Sequence, residues 1–305
     1  MAVKESVFGS PAERELYESI VSQWCPPYKV WHGIHFGNIF ALPSLGLSPR
    51  EWNTLAKSEV DFTLCTDAGR PLLSIEFDGM GGGFSRMGEY VQARPVRELR
   101  RKEKLDLKLR IARENSYPFF VISGREIRRE RRDTRLTVVD GIIGETLEKR
   151  ELSTTIPRAV AEEAEYASSL PDGLREEYLD DVVVEQEVMA RMKFNPIARE
   201  VARLENLLYE AGIRFGQGYE PLWDPEWKPR GSMLFCGRLA PVYDPRDRGQ
   251  LGCAVVIQIH EHAIRETVWV RNFDGSGVWP GMIAHDIASL FALRHAVRYC
   301  KLEAC

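Results

Sequence analysis

The chain has 305 residues, 44% of them hydrophobic, and a formal net charge of −4. That length fits two domains better than one, the apolar share is too high for a disordered chain, and the negative charge argues against a simple basic nucleic-acid binder. No apolar run approaches the roughly 18 residues of a membrane span, and the first residues lack an apolar signal core, so a cytoplasmic protein that contacts no membrane is expected.

In chain order, "GSPAERELYESIVSQW" predicts an amphipathic helix, with Ser10 as N-cap, Pro11 at the first helical position, and Leu16, Ile20 and Trp24 recurring every four residues. "YKVWHGIHFGNIFAL" predicts one strand with a glycine-marked irregularity, and the Pro/Gly/Ser-rich "PSLGLSPREWN" a loop. "EVDFTLCT" and "PLLSIEFD", joined by the short "DAGR", predict a hairpin. After the glycine loop "GMGGGFSRMGEY", a long helix and the apolar strand "YPFFVIS" suggest a crossover onto the same sheet. From Leu136 to Asn195 the pattern is helical and acidic. A helix ending near Gly212, a Pro/Trp-rich connection, a second hairpin and a closing helix follow. The expected fold is α/β, a mixed central sheet flanked by helices, with a second α+β domain. The expected boundaries are 1–135, an acidic helical connection over 136–195, and 196–305.

Charge is unevenly spread. Arg97 to Arg132 holds 13 Lys/Arg against 6 Asp/Glu, whereas Glu151 to Glu187 holds 11 Asp/Glu against 2 Lys/Arg. The first segment could face phosphates; the plainer reading is two solvated helical surfaces. The six cysteines form no Cys-x-x-Cys pair, so scattered reduced thiols are expected rather than a zinc site.

The first hairpin carries three acids among apolar residues: Asp61, Glu76 and Asp78. Strand alternation turns Glu76 and Asp78 to one face, and a short hairpin can bring Asp61 near them. Clustered carboxylates repel one another unless a cation sits between them, and hard oxygen ligands suit Mg²⁺ or Mn²⁺. On the helix that follows, Leu105, Leu107, Leu109, Ile111 and Ala112 form an apolar arc, and Lys104 and Lys108 fall inside it. A core-facing lysine needs a partner or a task; the alternatives are a structural salt-bridge cluster or lysines that snorkel to the surface.

An early helix with an acid, then "VDF", then "IEFDG", then a lysine-bearing helix and a buried strand resembles the PD-(D/E)XK nuclease superfamily. The similarity is to its very-short-patch-repair-like endonuclease branch and spans roughly Ser10 to Ser123. It implies a restriction-endonuclease-like fold and Mg²⁺- or Mn²⁺-dependent hydrolysis of phosphodiester bonds, with nucleic acid as partner, DNA ahead of RNA. It implies Asp61 and Glu76 as metal ligands, Asp78 in the place of the motif lysine, Lys108 as the substituting catalytic lysine, and Glu13 on the first helix as a supporting acid. Lys104 would support the site, and Arg97, Arg100 and Arg101 would meet the phosphate backbone. The loop after "DG" lacks the histidine often found in that branch. Two alternatives stay open: a non-cleaving nucleic-acid-binding protein with a degenerate site, and a structural subunit of a defence or mobile-element complex in which the acidic segment docks a partner. The C-terminal domain is expected to serve substrate choice or a protein partner.

Other motifs point less far. "GMGGGFS" is not a phosphate loop, because no Gly-Lys-Ser/Thr follows. His260 and His262 lack a third metal ligand, and His32 and His35 receive no role. Trp223, Trp227 and Trp279 could stack on bases but are expected to pack. The C-terminal order is similar to a double-stranded-RNA-binding domain in topology only, since "GMIAHDIAS" carries no lysine.

Overall fold

The computed structural model describes residues 6–78, 99–123, 137–216, 233–238, 242–243, 250–259, 262–273 and 277–302. The chain divides into two compact units. The first comprises Met1–Val139, Ala240–Cys253 and Thr267–His285; the second comprises Asp140–Leu239, Ala254–Glu266 and Asp286–Cys305.

The first unit opens with α1 (Pro11–Trp24), where Ser10 accepts the Glu13 amide as N-cap and Pro11 stands in the first turn, as expected. β1 (Lys29–His35) follows and stops sooner than its β-forming sequence suggests. A single helical turn, α2 (Phe36–Ile39), replaces its end, and Phe36 stacks on Phe40 with ring centroids 4.7 Å apart. The stretch read as a loop contains a further helix, α3 (Pro49–Ala56), closed by a capping box between Ser48 and Glu51. β2 (Glu59–Cys65) and β3 (Pro71–Asp78) form the expected hairpin. α4 (Leu99–Glu114) then crosses over to β4 (Phe119–Ser123), which pairs parallel with β3. The sheet order is β1-β2-β3-β4, with antiparallel β1–β2 and β2–β3 pairs, so the sheet is mixed.

One face of this sheet is covered by α4. Leu105, Leu109, Ile111 and Ala112 bury against Phe119 and Val121 of β4 and against Phe36, Phe40 and Leu55. Near β1 and β2, α1 buries Leu16, Ile20 and Trp24 and sets Tyr17 against Phe62. The outer edge of β4 is met within the same unit, where Val121 N–H donates to the Phe273 carbonyl at 3.4 Å.

The remaining chain gives two long helices, α5 (Val138–Ser168) and α6 (Asp172–Phe194), and then α7 (Pro196–Glu210), whose N-cap Asn195 accepts two backbone amides. β5 (Arg214–Gly216), β6 (Met233–Arg238), β7 (Val242–Tyr243), β8 (Gln250–Ile259) and β9 (His262–Arg271) form a second sheet of order β5-β6-β8-β7, with β9 pairing β8. α8 (Pro280–Tyr299) follows β9. No helix among the described residues is long and apolar enough to cross a membrane. Four described cysteines, Cys25, Cys65, Cys253 and Cys300, are free thiols.

Candidate active site

The first unit has a cleft of ≈ 660 Å³ whose polar lining includes Glu13, Glu59, Asp61, Glu76, Asp78, Arg101 and Lys104. Strand alternation builds it. The β2–β3 register pairs Phe62 with Ile75 and Thr63 with Ser74; one step further, Asp61 stands across from Glu76 on the α4 side. There the ladder ends, and the Phe77 amide donates instead to Asp61 Oδ2 at 2.7 Å. In β1 the residue facing Asp61 is Gly33, at φ +65, a conformation that L side chains rarely adopt.

Lys108 is fully buried, at 0% exposure, and reaches down from α4 onto Glu76. Its Nζ donates to Glu76 Oε1 and to the Glu59 carbonyl, both at 2.5 Å. The other oxygen, Glu76 Oε2, is buried without a hydrogen-bond partner among the described residues. An orphaned carboxylate oxygen costs free energy unless something positive meets it. Asp61 shows the same strain: burial, and then the neighbouring Glu76 charge, push its carboxyl up to about 7.

The sequence expectations fall out unevenly around this pair. Asp78 is buried on the cleft wall with Arg101 Nη2 3.4 Å from its Oδ1, so Arg101 faces the site rather than lying only on an outer surface. Lys104 lines the cleft half-buried and makes no ion pair among the described residues; burial, and then the Lys108 ammonium, lower its pKa. Glu13 bends back over the start of α1. Its Oε2 accepts the Gly9 amide at 2.8 Å, and its Oε1 meets His32 Nε2 at 2.7 Å. His32 therefore has a place that alternation along β1 did not reveal: it holds a cleft carboxylate, with its ring 4.5 Å from Phe8. His262 stacks on Tyr299 at 4.7 Å, and Trp279 is exposed. Arg97, the Arg100 side chain, the loop "GMGGGFSRMGEY", the run "REIRRERR", His260, Trp223 and Trp227 lie outside the described residues.

Among the described residues no three or more His, Cys, Asp or Glu side chains converge as a ready-made metal cage. Mg²⁺ does not require one. It keeps several waters and is commonly bound through one or two carboxylates plus substrate phosphate oxygens. The donor set here fits that habit: two adjacent carboxylates, one with a buried oxygen that no described residue meets and the other pushed up to about 7 by burial and then by its neighbour.

This strain has a sign that can be measured in metal-free buffer. Because the native pKa of Asp61 lies above the value of an unfolded chain, its contribution to stability is fully present below about pH 4 and is lost as pH rises to about 7. Asp61→Asn removes this titration and keeps an acceptor for the Phe77 amide. In urea unfolding with EDTA, the variant is expected to be more stable than the parent by about 2–4 kcal/mol at pH 8 and to converge with it toward pH 4. A difference that stays constant across that range would show that Asp61 does not titrate as described.

Comparison with protein-family models, with curated proteins and with solved structures returned no match in any of the three.

Proposed function

We propose that the first unit is a Mg²⁺- or Mn²⁺-dependent endonuclease of the PD-(D/E)XK kind, hydrolysing phosphodiester bonds of nucleic acid, DNA ahead of RNA. The observation that carries this is the Asp61–Glu76 pair, which faces an open cleft with one buried oxygen unpartnered and a fully buried lysine fixing the other. The order α1, β1, the β2–β3 hairpin, α4 and parallel β4, with α2 and α3 inserted between β1 and β2, also supports it, since an early helix, an acid-bearing hairpin, a lysine-bearing helix and a buried strand are what the superfamily resemblance rests on.

Asp61 and Glu76 would hold the cation. When bound, the cation supplies Lewis-acid polarisation of the phosphoryl oxygens and a more acidic water. Lys108, expected from the sequence to act in catalysis, has its ammonium taken up by Glu76 and the Glu59 carbonyl and is sealed from the cleft. Its geometry supports a positioning role: it fixes the Glu76 rotamer and neutralises one oxygen. Lys104 lines the cleft without an ion pair among the described residues, and it suits the non-bridging oxygens of a scissile phosphate. Glu13, steadied by His32 and the Gly9 amide, offers a proton acceptor at the rim. Arg101 neutralises Asp78 and leaves part of its guanidinium exposed to an incoming backbone.

Lys104→Ala is therefore expected to lower cleavage by about a hundredfold without loss of thermal stability, because it removes a cation that burial and Lys108 already disfavour. Unchanged single-turnover rates would remove Lys104 from the mechanism.

One observation favours a second reading, a protein that binds nucleic acid without cutting it. Asp78 stands where the motif lysine would be and is paired with Arg101, while Lys108 is sealed from the cleft. Incubating the chain with plasmid, single-stranded DNA and RNA in Mg²⁺, Mn²⁺ or EDTA separates the two. Metal-dependent cleavage that EDTA stops supports the nuclease. Retention of nucleic acid in a gel shift with no cleavage under any condition supports the binder.

A further inference from the structure

The second unit carries a surface that the proposed nuclease chemistry does not use. On α6, Val184, Val188 and Met189 are 53%, 54% and 60% exposed, and Met192 is exposed beside them. Residues 184, 188 and 192 are each one helical turn apart, so they form a stripe rather than scattered apolar positions. Exposed single apolar residues are ordinary; contiguous ones mark an interaction site.

The stripe has an acidic rim. Asp180, Asp181, Glu185 and Glu187 are exposed, and none of them forms an ion pair among the described residues. The cations of the same helix are taken up by their own unit. Arg191 meets Asp286 at 2.7 Å, Lys193 meets Glu151 at 2.7 Å, and Arg175 is bonded to the carbonyls of Ala167, Ser168 and Leu170. What α6 presents outward is apolar surface framed by negative charge that no described residue pairs with.

We propose that the C-terminal half of α6 docks a lysine- and arginine-rich amphipathic helix of a protein partner. The charge selects the class of partner: the same acids repel phosphates, so nucleic acid does not suit this face. One-turn spacing selects the shape, because a straight stripe matches the apolar side of a second helix. Rim charges speed the encounter and choose the sign of the partner, while the apolar stripe holds the complex. The surface lies on a different unit from the cleft and does not depend on what the cleft catalyses.

The probe is a fluorescent synthetic peptide of about 18 residues, long enough to form a helix, with leucines at helical spacing and lysines elsewhere. Two controls accompany it: a scrambled isomer of equal charge without an apolar face, and an amphipathic peptide with glutamate in place of lysine. By anisotropy on the full chain, the lysine helix is expected to bind at least about tenfold tighter than the scrambled isomer. Val184→Ser with Val188→Ser, both exposed and so compatible with an unchanged melting temperature, should erase that advantage. Asp181→Asn with Glu185→Gln and Glu187→Gln should weaken binding and flatten its dependence on salt. Equal binding of the scrambled isomer, equal binding of the glutamate helix, or no effect of the double serine variant would each overturn the proposal. So would self-association of the chain in sedimentation equilibrium that the serine variant abolishes, since the occupant would then be a second copy.

Discussion

Glu76→Gln and Asp61→Asn are each expected to lower metal-dependent cleavage by about a thousandfold or more while the chain stays folded. The two carboxylates stand across the β2–β3 pair and face one cleft, and glutamine or asparagine keeps their size while removing the charge that a cation needs. Stability should not suffer at Asp61, because the charge being removed is one that burial and Glu76 already oppose. The measurement is single-turnover cleavage in Mg²⁺, alongside a thermal melt of each variant. Retention of more than about a tenth of the parent rate by either variant would take these acids out of the metal site.

Lys108→Met is expected to lose activity for a different reason. The substitution keeps roughly the volume of the side chain, so the cost is mainly electrostatic: Glu76 would keep a carboxylate in a site where one oxygen is already unpartnered. Breaking a buried pair from one side costs about 3–5 kcal/mol, whereas replacing both partners by uncharged groups can be nearly neutral. Urea unfolding of Lys108→Met, Glu76→Gln and the double variant should therefore be strongly non-additive, with the double variant recovering most of the stability lost in Lys108→Met. Additive losses would mean that the two side chains do not form the pair described, and a Lys108→Met variant with parental stability would mean that Lys108 does not carry its charge into the core.

Much of the site could be read from the chain because it rests on periodicity. Asp61, Glu76 and Asp78 stood out since strands alternate faces, and Lys108 stood out since it interrupts an apolar helical arc; both patterns reappear in the packing. Those same patterns ranked Lys108 above Lys104, because depth in an arc measures burial and does not say whether the ammonium already has a partner. The Glu13–His32 contact joins residues of α1 and β1, which no local period connects, so His32 received no role. Its only trace in the sequence is an acid in the first helix, and nothing says which residue steadies it.

The fold was missed where composition outweighed a local signal. Ser48, Pro49 and Glu51 spell a capping box with proline in the first turn, yet the surrounding Pro, Gly and Ser suggested a loop. Phe36 to Phe40 is rich in β-formers, and burial of its aromatic rings in one cluster with Phe119 turned it into a helical turn. Propensity is a weak prior there because tertiary packing decides.

Binding of Mn²⁺, followed by electron paramagnetic resonance in the absence of nucleic acid, asks directly whether Asp61 and Glu76 are kept adjacent for a cation. The parent chain should hold a single Mn²⁺, Mg²⁺ should displace it, and both Asp61→Asn and Glu76→Gln should abolish it. No binding by the parent at millimolar Mn²⁺, or binding that survives both substitutions, would contradict the assignment of this carboxylate pair to a metal.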